Sequence, residues 1–445
     1  MTPKTVRLGA GAGFAGDRID PAEDLARRGQ LDYLIFECLG ERTVAAGHAR
    51  RLADASGGYD PLLRARLRAV LPHASRNGTR IITNSGAANP AAAGEVARQV
   101  IRELGLSCRV AVVTGDEVLA QVTAADPLLW ETGRPLSSTT AELISANAYL
   151  GAEPVVEALA QGADLVITGR MADPSLYLGP LLYEHGWADD DWPRLGSGTV
   201  VGHLLECAGQ LTGGYFADPT TKPVPDLARL GFPYADVDVD GHAVLSKLPD
   251  TGGRLDVRTC TEQLLYEVGN PGAYLTPDVT ADFTNVKFRE DGPDRVRLQG
   301  ATGRARPDDL KVTLGFREGW LGEGQITYAG PRALERAELA ADVVRDRLIS
   351  IHGLTTDSID VEYIGAGAAF RGLAAPQEPL EVRLRVSAHV PDEEAATVVG
   401  WEVESLYTNG PAGGGGARRS HHELVTVRSC LLPRNLVPTR VTLEG

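Results

Sequence analysis

The stretch VRLGAGAGFAGDR, from Val6 to Arg18, decides the predicted fold class of this chain. A short apolar run leads into a glycine-rich loop that contains G-x-G-x-x-G at Gly11, Gly13 and Gly16. In dinucleotide-binding units such glycines form a tight turn after the first strand and let the backbone approach a pyrophosphate. An acidic residue about 20 positions further on completes that pattern, and Glu37 occupies the place.

The helix-start signals come later than a dinucleotide loop requires. Residues Asp20–Glu23 supply an N-cap, a proline in the first turn and a carboxylate three residues after the cap. The sequence therefore predicts that Gly16, Asp17 and Arg18 lie in a longer polar loop outside the helix. Such a loop suits a polar ligand, or contacts that lock the loop, better than a bare pyrophosphate.

Apolar runs of the same kind alternate with amphipathic helical patterns over the first 190 residues. Near-continuous apolar strands between helices indicate a parallel sheet that is covered on both faces. We predict an α/β, Rossmann-like parallel-sheet domain over residues 1–235. The runs are VRLGA, LDYLIFECL, TRIITNSG, CRVAVVTGD and ADLVITGR, and the helices are expected at 21–28, 61–76, 90–104, 117–124 and 153–161.

Polar or glycine-containing segments follow each of these strands. Ligands of open α/β sheets bind outside the carboxyl ends of the strands, so these segments should converge on one site. For any single residue, such as Asn89 or Asp173 before a proline, a turn or helix cap is an equally good interpretation. The candidate ligand-binding residues are Gly16, Arg18, Arg42, Asn84, Ser85, Asn89, Asp116, Arg170, Asp173 and Ser175.

A second dense stretch, TVVGHLLECAGQLTGGYFADP, covers residues 199–219. At helical spacing His203, Glu206 and Gln210 share one face. A histidine and a glutamate one turn apart form an acid/base pair or supply two metal ligands. The alternative is an ordinary amphipathic helix with a solvent-facing histidine and glutamate.

The rest of the chain changes character. Residues 236–320 alternate with turn signals and predict an antiparallel, strand-rich connecting region. Residues 321–445 follow the order β-α-β-β-α-β, which predicts a ferredoxin-like α+β domain. That domain contains the segment NGPAGGGGARRSHH, in which Gly414 and Arg418 suit a phosphate or carboxylate. The alternative is a flexible hairpin connection whose arginines meet a surface carboxylate, and the adjacent His421 and His422 point to opposite faces of a strand, so no metal site is expected there.

Composition excludes several classes of partner. The 445 residues carry a net charge of −15, which disfavours nucleic acid and anionic membranes but leaves small acids and CoA esters open. Five cysteines without C-x-x-C indicate reduced thiols, and neither a signal peptide nor a membrane span is present, so a cytoplasmic protein is expected. Serine hydrolase elbows and Walker loops are also missing.

The chain resembles the acyclic terpene utilisation (AtuA) family from Leu8 to Pro433. The resemblance implies a place in the degradation of branched isoprenoid acids as CoA thioesters, with a carboxylate or acyl-CoA substrate and a homo-oligomeric state. Some relatives carry a further small C-terminal domain, so a separate small partner protein is expected to supply it. The segments that carry the resemblance are GAGAGFAGDRIDPAEDLARRGQLDYLIFECLGERT, ITNSGAANP, ITGRMADPSL, GHLLECAGQLTGGYFADP and YTNGPAGGGG.

The family context implies hydration, dehydration or carbon–carbon lysis, which requires a base, an acid and donors for an enolate. No cofactor is expected to be required, and the one metal considered is a Mg²⁺ held through water by Asp17 and Glu37. Two alternatives stay open: a nicotinamide-dependent oxidoreductase that uses the glycine loop, and a non-catalytic ligand-binding subunit. The expected roles are Glu37 and Asp17 as bases, Arg42 and Arg170 on the substrate carboxylate or thioester oxygen, Asn84, Ser85 and Asn89 as neutral donors, and His203 with Glu206 as the alternative acid/base pair.

Overall fold

The computed structural model describes residues 5–369 and 378–444. The chain divides into two compact units, one comprising Met1–Gly315 and Val427–Gly445 and the other Phe316–Thr426. Within the described ranges, no helix combines the length and the apolar character needed to cross a bilayer.

The first unit begins with strands and helices in alternation. In chain order they are β1 (Val6–Ala12), α1 (Asp20–Arg28), β2 (Tyr33–Phe36), α2 (Glu41–Ala53), α3 (Leu63–Asn77), β3 (Arg80–Thr83), α4 (Pro90–Glu103), β4 (Val110–Thr114), α5 (Leu119–Ala125), β5 (Glu142–Ala148), α6 (Glu153–Ala160), β6 (Leu165–Ile167), α7 (Ser175–His185) and α8 (Trp192–Glu206).

Shorter elements follow, and then the long strand on which the chain passes into the second unit. They are β7 (Pro233–Val237), β8 (Ala243–Lys247), α9 (Val257–Leu265), β9 (Tyr274–Leu275), β10 (Thr280–Asp282), β11 (Lys287–Glu290), β12 (Arg295–Gln299), β13 (Thr302–Arg304) and β14 (Asp309–Ala329). The remaining elements are α10 (Ala333–Ser350), β15 (Ile359–Ile364), β16 (Glu381–Val390), α11 (Glu393–Glu404), α12 (Leu406–Asn409), β17 (Gly414–Pro433) and β18 (Arg440–Glu444).

A ten-stranded mixed sheet forms the centre of the first unit, in the order β11-β12-β8-β7-β1-β2-β3-β6-β4-β18. The five strands predicted from the apolar runs, β1, β2, β3, β6 and β4, lie side by side and are parallel, as expected. Every residue of β2 and β6 is buried. Since successive strand residues point to opposite faces, both faces of the sheet are covered at its centre.

Antiparallel strands extend this sheet on both sides. β7, β8, β12 and β11 continue it beyond β1, and β18 pairs with β4. Much of the region predicted as an antiparallel connection therefore belongs to the large sheet, whereas β13, β10 and β9 form a small sheet of their own. Helix α9, within the same region, has no counterpart in the prediction from sequence.

In the second unit β15, β16, β14 and β17 lie side by side, and β16 is antiparallel to both of its neighbours. Buried alanine and valine side chains of α10 and α11 pack with β16 in one apolar core. The alternative of a flexible hairpin connection in the glycine-rich segment is wrong for the second half of the segment, because β17 begins at Gly414. Arg419 lies 3.3 Å from the carboxylate of Glu404, as the structural alternative anticipated.

Candidate functional site

The loop after β1 is closed by its own side chains. α1 begins at Asp20, as the helix signals predicted, and residues 13–19 form the loop. Asp17 accepts hydrogen bonds from the backbone N–H of Gly13 (2.9 Å) and of Arg18 (2.8 Å) through different oxygens. The Arg18 guanidinium donates to the carbonyl of Leu227 at 2.9 Å. Asp17 and Arg18 therefore fix the loop in place.

The glycines of the G-x-G-x-x-G pattern approach protein atoms. Gly11 lies inside β1, where a Cβ would come within 2.8 Å of the Phe36 ring. At Gly13 a Cβ would lie 2.5 Å from the carbonyl carbon of Cys207, and at Gly16 it would lie 2.7 Å from the Phe14 ring. The close approach that a pyrophosphate requires is used here for internal packing, which weakens the nicotinamide interpretation.

Replacing Gly13 by alanine is expected to destabilise the first unit by about 1–3 kcal/mol, the usual cost of overpacking a tight contact. The added methyl would overlap the backbone of Cys207, which cannot move away as a flexible side chain could. Gly269→Ala is the matched control, since no atom lies within 4 Å of that position. Urea unfolding of both variants measures the difference, and equal midpoints would contradict the packing role of Gly13.

A buried ion pair also holds the loop of residues 13–19, through hydrogen bonds to its backbone. Arg66 and Asp60 contact each other with side chains that are 2% and 3% exposed. The second terminal nitrogen of Arg66 donates to the carbonyls of Ala15 (2.7 Å) and Phe14 (3.4 Å). Ser85, predicted as a substrate donor, donates to Asp60 at 3.3 Å.

Glu37 lies directly after β2 and is held by two donors. Its Oε1 accepts hydrogen bonds from the Leu39 N–H (2.8 Å) and from the Asn84 amide (2.9 Å). Asn84 is itself oriented by the N–H of Cys38, which donates to its side-chain oxygen at 2.7 Å. Burial, with the nearby charge of Asp173, raises the pKa of Glu37 to about 8. Asn84, expected to donate to a substrate, therefore positions Glu37.

Arg170 is the buried cation of the site. It donates to the carbonyl of Leu39, lies 3.1 Å from Asp173 and stacks on the Tyr149 ring with 4.0 Å to the centroid. Its backbone N–H donates to Asp116 at 2.8 Å. Burial acts to lower the pKa of Arg170, but the charge of Asp173 and its neighbours raises it on balance. The guanidinium thus stays charged between Asp173 and Tyr149.

Glu41 and Lys311 form a second pair beside Arg170. Lys311 Nζ lies 3.1 Å from Glu41, and the Tyr149 hydroxyl donates to the same carboxylate oxygen. Burial disfavours the charge of Glu41, but Arg170, the Tyr149 hydroxyl and Lys311 together lower its pKa to about 2. Glu41 is therefore a fixed anion at neutral pH.

His203 and Glu206 contact each other near the end of α8, with 3.0 Å between Nδ1 and Oε1. Both side chains are buried, so the alternative of a solvent-facing pair is wrong. Tyr274 and Phe283 of the small-sheet region pack against the His203 ring and exclude water from it. Burial lowers the pKa of His203 to about 4, and burial with the charge of Asp173 raises that of Glu206 well above its usual range. The second oxygen of Glu206 is buried and has no hydrogen-bond partner among the described residues.

Several of the charged residues described above, including Glu37, Arg170 and Glu206, line one or the other of two cavities in the first unit. The carboxylate cavity has a volume of about 580 Å³ and the aromatic cavity about 490 Å³, and both are lined by Glu41, Asp173 and Glu267. The carboxylate cavity also includes Gly13, Phe14, Asp17, Arg18, Glu37, Glu206, Cys207, Gln210, Tyr215 and Tyr266. The aromatic cavity also includes Trp130, Tyr149, Arg170, Tyr274, Leu275, Pro277, Asp308, Asp309, Leu310, Lys311 and Leu431.

Other predicted residues are engaged away from these cavities. Asp116 accepts from Asn147 as well as from Arg170, and burial raises its pKa to about 6. Asn89 caps α4, and Ser175 donates to the buried Asp278. Arg42 is exposed in the first turn of α2 and lines neither cavity. Gly414 and Arg418 belong to β17 in the second unit.

Five residues that line the two cavities are not among the site residues predicted from sequence. Four of them come from segments without a quoted motif, and contacts between distant segments bring all five together. In the structure Glu267 is distinguished by its backbone φ of 58°, which is unusual for a residue with a side chain. The missed residues are Glu41, Trp130, Tyr149, Glu267 and Lys311.

Potential metal ligands occur in two places. A hydrated Mg²⁺ between Asp17 and Glu37 stays a prediction, and both side chains line the carboxylate cavity. Within the described ranges, Asp238, Asp240 and His242 are the one group of three potential ligands whose atoms lie within 4.8 Å of one another. Asp238 accepts from the N–H groups of the other two, as the turn between β7 and β8 requires.

Comparison with known proteins gives one match. The family described as "Acyclic terpene utilisation family protein AtuA" matches residues 6–443. No curated protein and no solved structure gives a significant match. The match includes both units and every residue that lines the two cavities.

Proposed function

Because the chain belongs to the acyclic terpene utilisation (AtuA) family, which implies a role in acyclic terpene utilisation, we propose that its first unit catalyses acid–base chemistry next to the carbonyl of a branched acyl thioester. The reaction type is that of a hydratase or lyase. The carboxylate cavity is the reaction site, and Glu37 and Glu206 are its acid–base groups.

The observation that carries this proposal is the environment of Glu37. Its carboxyl group lines the carboxylate cavity, is oriented by Asn84 and the Leu39 N–H, and has a pKa of about 8. An acid–base group works best when its pKa lies near the operating pH. A carboxyl group with an ordinary pKa would be a much weaker base at the α-carbon of a thioester.

Glu206 is the complementary proton donor. Burial and the charge of Asp173 raise its pKa well above the usual range and so favour the protonated form, and its second oxygen is buried at the same cavity. His203 holds the other oxygen at 3.0 Å and stays neutral because of its lowered pKa. His203 is therefore a positioning residue for Glu206.

The two groups support a balanced dehydration and its reverse. Glu37 removes the proton from the carbon next to the thioester carbonyl, and the C–H electron pair moves toward the carbonyl oxygen as an enolate. Glu206 delivers a proton to a β-hydroxyl group, the C–O bond breaks, and water leaves with formation of the α,β double bond. Arg170, placed beside Asp173, contributes positive charge that stabilises the enolate.

Deuterium exchange tests the proposal directly. The protein is incubated in D₂O with the CoA thioester of 3,7-dimethyloctanoic acid, and incorporation at the α-carbon is followed by mass spectrometry. We expect one or two deuterons to enter at a rate well above that of buffer alone. Exchange no faster than in buffer, with this thioester and with its 3-hydroxy derivative, would exclude proton abstraction next to the carbonyl.

A further inference from the structure

The aromatic cavity exposes apolar side chains that proteins usually bury. Trp130, Leu275 and Leu431 are 54%, 65% and 41% exposed, and all three line this cavity. Apolar and aromatic side chains combined with polar groups are typical of the lining of ligand sites, and the volume of this cavity lies within the roughly 300–1,000 Å³ of such sites. The feature therefore calls for a ligand with a large apolar part.

Hydrogen bonds hold the apolar wall in place. The backbone N–H of Trp130 donates to the carbonyl of Ser429 at 2.9 Å, and the backbone N–H of Ser429 donates to the Glu131 carboxylate at 2.8 Å. On the opposite side Arg434 donates to the carbonyl of Pro277 at 2.6 Å. The wall is preformed, so a ligand gains contact area without first ordering the segments that bind it.

The lining of the aromatic cavity includes two cations, and both already have anionic partners. Lys311 lies beside Glu41, and Arg170 lies beside Asp173. Even with Glu37 and Glu206 in their neutral forms, carboxyl groups outnumber cations in the combined lining, so a ligand with an anionic head meets repulsion at the residues that the two cavities share. The carboxyl groups are Asp17, Glu37, Glu41, Asp173, Glu206, Glu267, Asp308 and Asp309, and the cations are Arg18, Arg170 and Lys311.

We infer that the aromatic cavity binds the aliphatic chain of a neutral acyl derivative whose carbonyl lies at Glu41, Asp173 and Glu267, and that the free carboxylic acid is rejected. The inference rests on the proposed function for the position of the reacting carbon. It adds where the aliphatic chain of the ligand binds and that the acyl head group is uncharged. Arg170 thus acts on a neutral carbonyl, and the expectation that it binds a substrate carboxylate is replaced.

Calorimetric titration of the full chain at pH 7.5 tests both parts. The probe is the N-acetylcysteamine thioester of 3,7-dimethyloctanoic acid, compared with the acetyl thioester of the same thiol and with free 3,7-dimethyloctanoic acid. We expect the acetyl thioester to bind at least about 100-fold more weakly because it leaves the apolar wall exposed. We expect the free acid to bind at least about tenfold more weakly because of the carboxylates.

Substitutions in the cavity test where the aliphatic chain of the ligand binds. Leu275→Asp and Leu431→Asp should each weaken binding of the long thioester about tenfold or more, and both positions are exposed enough to tolerate the change in the fold. Leu339→Asp is the matched control, an exposed leucine on α10 of the second unit. Equal binding by the acetyl and long thioesters, or by the cavity variants and the control, overturns the assignment of the chain. Binding of the free acid as tight as that of the thioester overturns the assignment of the head.

The proposed function and this inference fail in different ways. Glu37→Gln protein should bind the long thioester within about threefold of the unchanged protein, because Glu37 lines the carboxylate cavity only. Normal binding without deuterium exchange contradicts the proposed chemistry and leaves the chain site standing. Exchange that persists in Leu275→Asp and Leu431→Asp with unchanged affinity contradicts the chain site alone.

Discussion

Glu37→Gln is expected to lower the rate of α-deuterium exchange by roughly 10²–10⁴-fold, the usual contribution of a positioned acid–base group. Glutamine has nearly the same shape, and its side-chain oxygen can still accept from Leu39 and Asn84. The fold and the cavity are therefore kept, while the proton acceptor is lost. Exchange is measured by mass spectrometry at saturating thioester.

The pH dependence sharpens this expectation. The base form of Glu37 makes up half of the group at its pKa of about 8, so the exchange rate should rise as the pH passes through that value and level off above it. Asp173→Asn removes a negative charge that contributes to the raised pKa, so the midpoint of the profile should move to lower pH. A profile unaffected by Asp173→Asn would assign the base to another group.

Glu95→Gln is the matched control for Glu37→Gln. Glu95 is exposed on α4, pairs with Arg98 and lies outside both cavities. We expect unchanged exchange in this variant. If Glu37→Gln retains more than about a tenth of the exchange rate, Glu37 is not the base.

Arg66→Met is expected to destabilise the first unit by about 3–5 kcal/mol, the cost of breaking a buried ion pair from one side. The substitution leaves Asp60 buried without its cation and removes the hydrogen bonds to Ala15 and Phe14. The loop that carries Asp17 loses its support at the same time. Urea unfolding at pH 7 measures the change in the free energy of unfolding.

Two comparisons isolate the buried pair. Arg68 lies on the same helix as Arg66 and forms an exposed ion pair with Glu103 of α4. Arg68→Met breaks this pair and should lower the free energy of unfolding by only about 0–1 kcal/mol. The double variant Asp60→Asn/Arg66→Met should recover part of the loss, since no unpaired charge stays buried. Equal unfolding midpoints for Arg66→Met and Arg68→Met would show that burial adds nothing to the pair.

The sequence was sufficient for the parallel part of the fold and for one wall of the site. Continuous apolar runs report burial on both faces of a strand, and the five runs do lie parallel in the sheet. The rule that carboxyl ends share an edge then brings Glu37, Asn84 and Arg170 together, and these residues are in contact or share partners. The late start of α1 was also visible, because capping signals are local.

The other wall depended on contacts that local patterns do not encode. Glu41, which is absent from the predicted site residues, begins α2, and the glycine at its N-cap position is a weaker helix-start signal than serine, threonine, aspartate or asparagine. Lys311 and Tyr149 become neighbours through the pairing of β5 with β14, far apart in sequence. The burial of His203 likewise depends on Tyr274 and Phe283, which a helical pattern cannot reveal. Ser85, Asn89 and Ser175, assigned to the candidate site from their position, make hydrogen bonds within the protein, and their binding roles stay predictions.

The raised pKa of Glu37 also ties the folding of the protein to proton uptake. An unfolded glutamate has a pKa of about 4.3, whereas folding raises that of Glu37 to about 8, so the folded chain holds a proton that the unfolded chain has released. This group contributes stability that is fully present below pH 4.3 and is lost progressively as pH rises through about 8. Glu206 acts in the same direction. The alkaline conditions that favour the base form of Glu37 are therefore those under which its contribution to folding is lost.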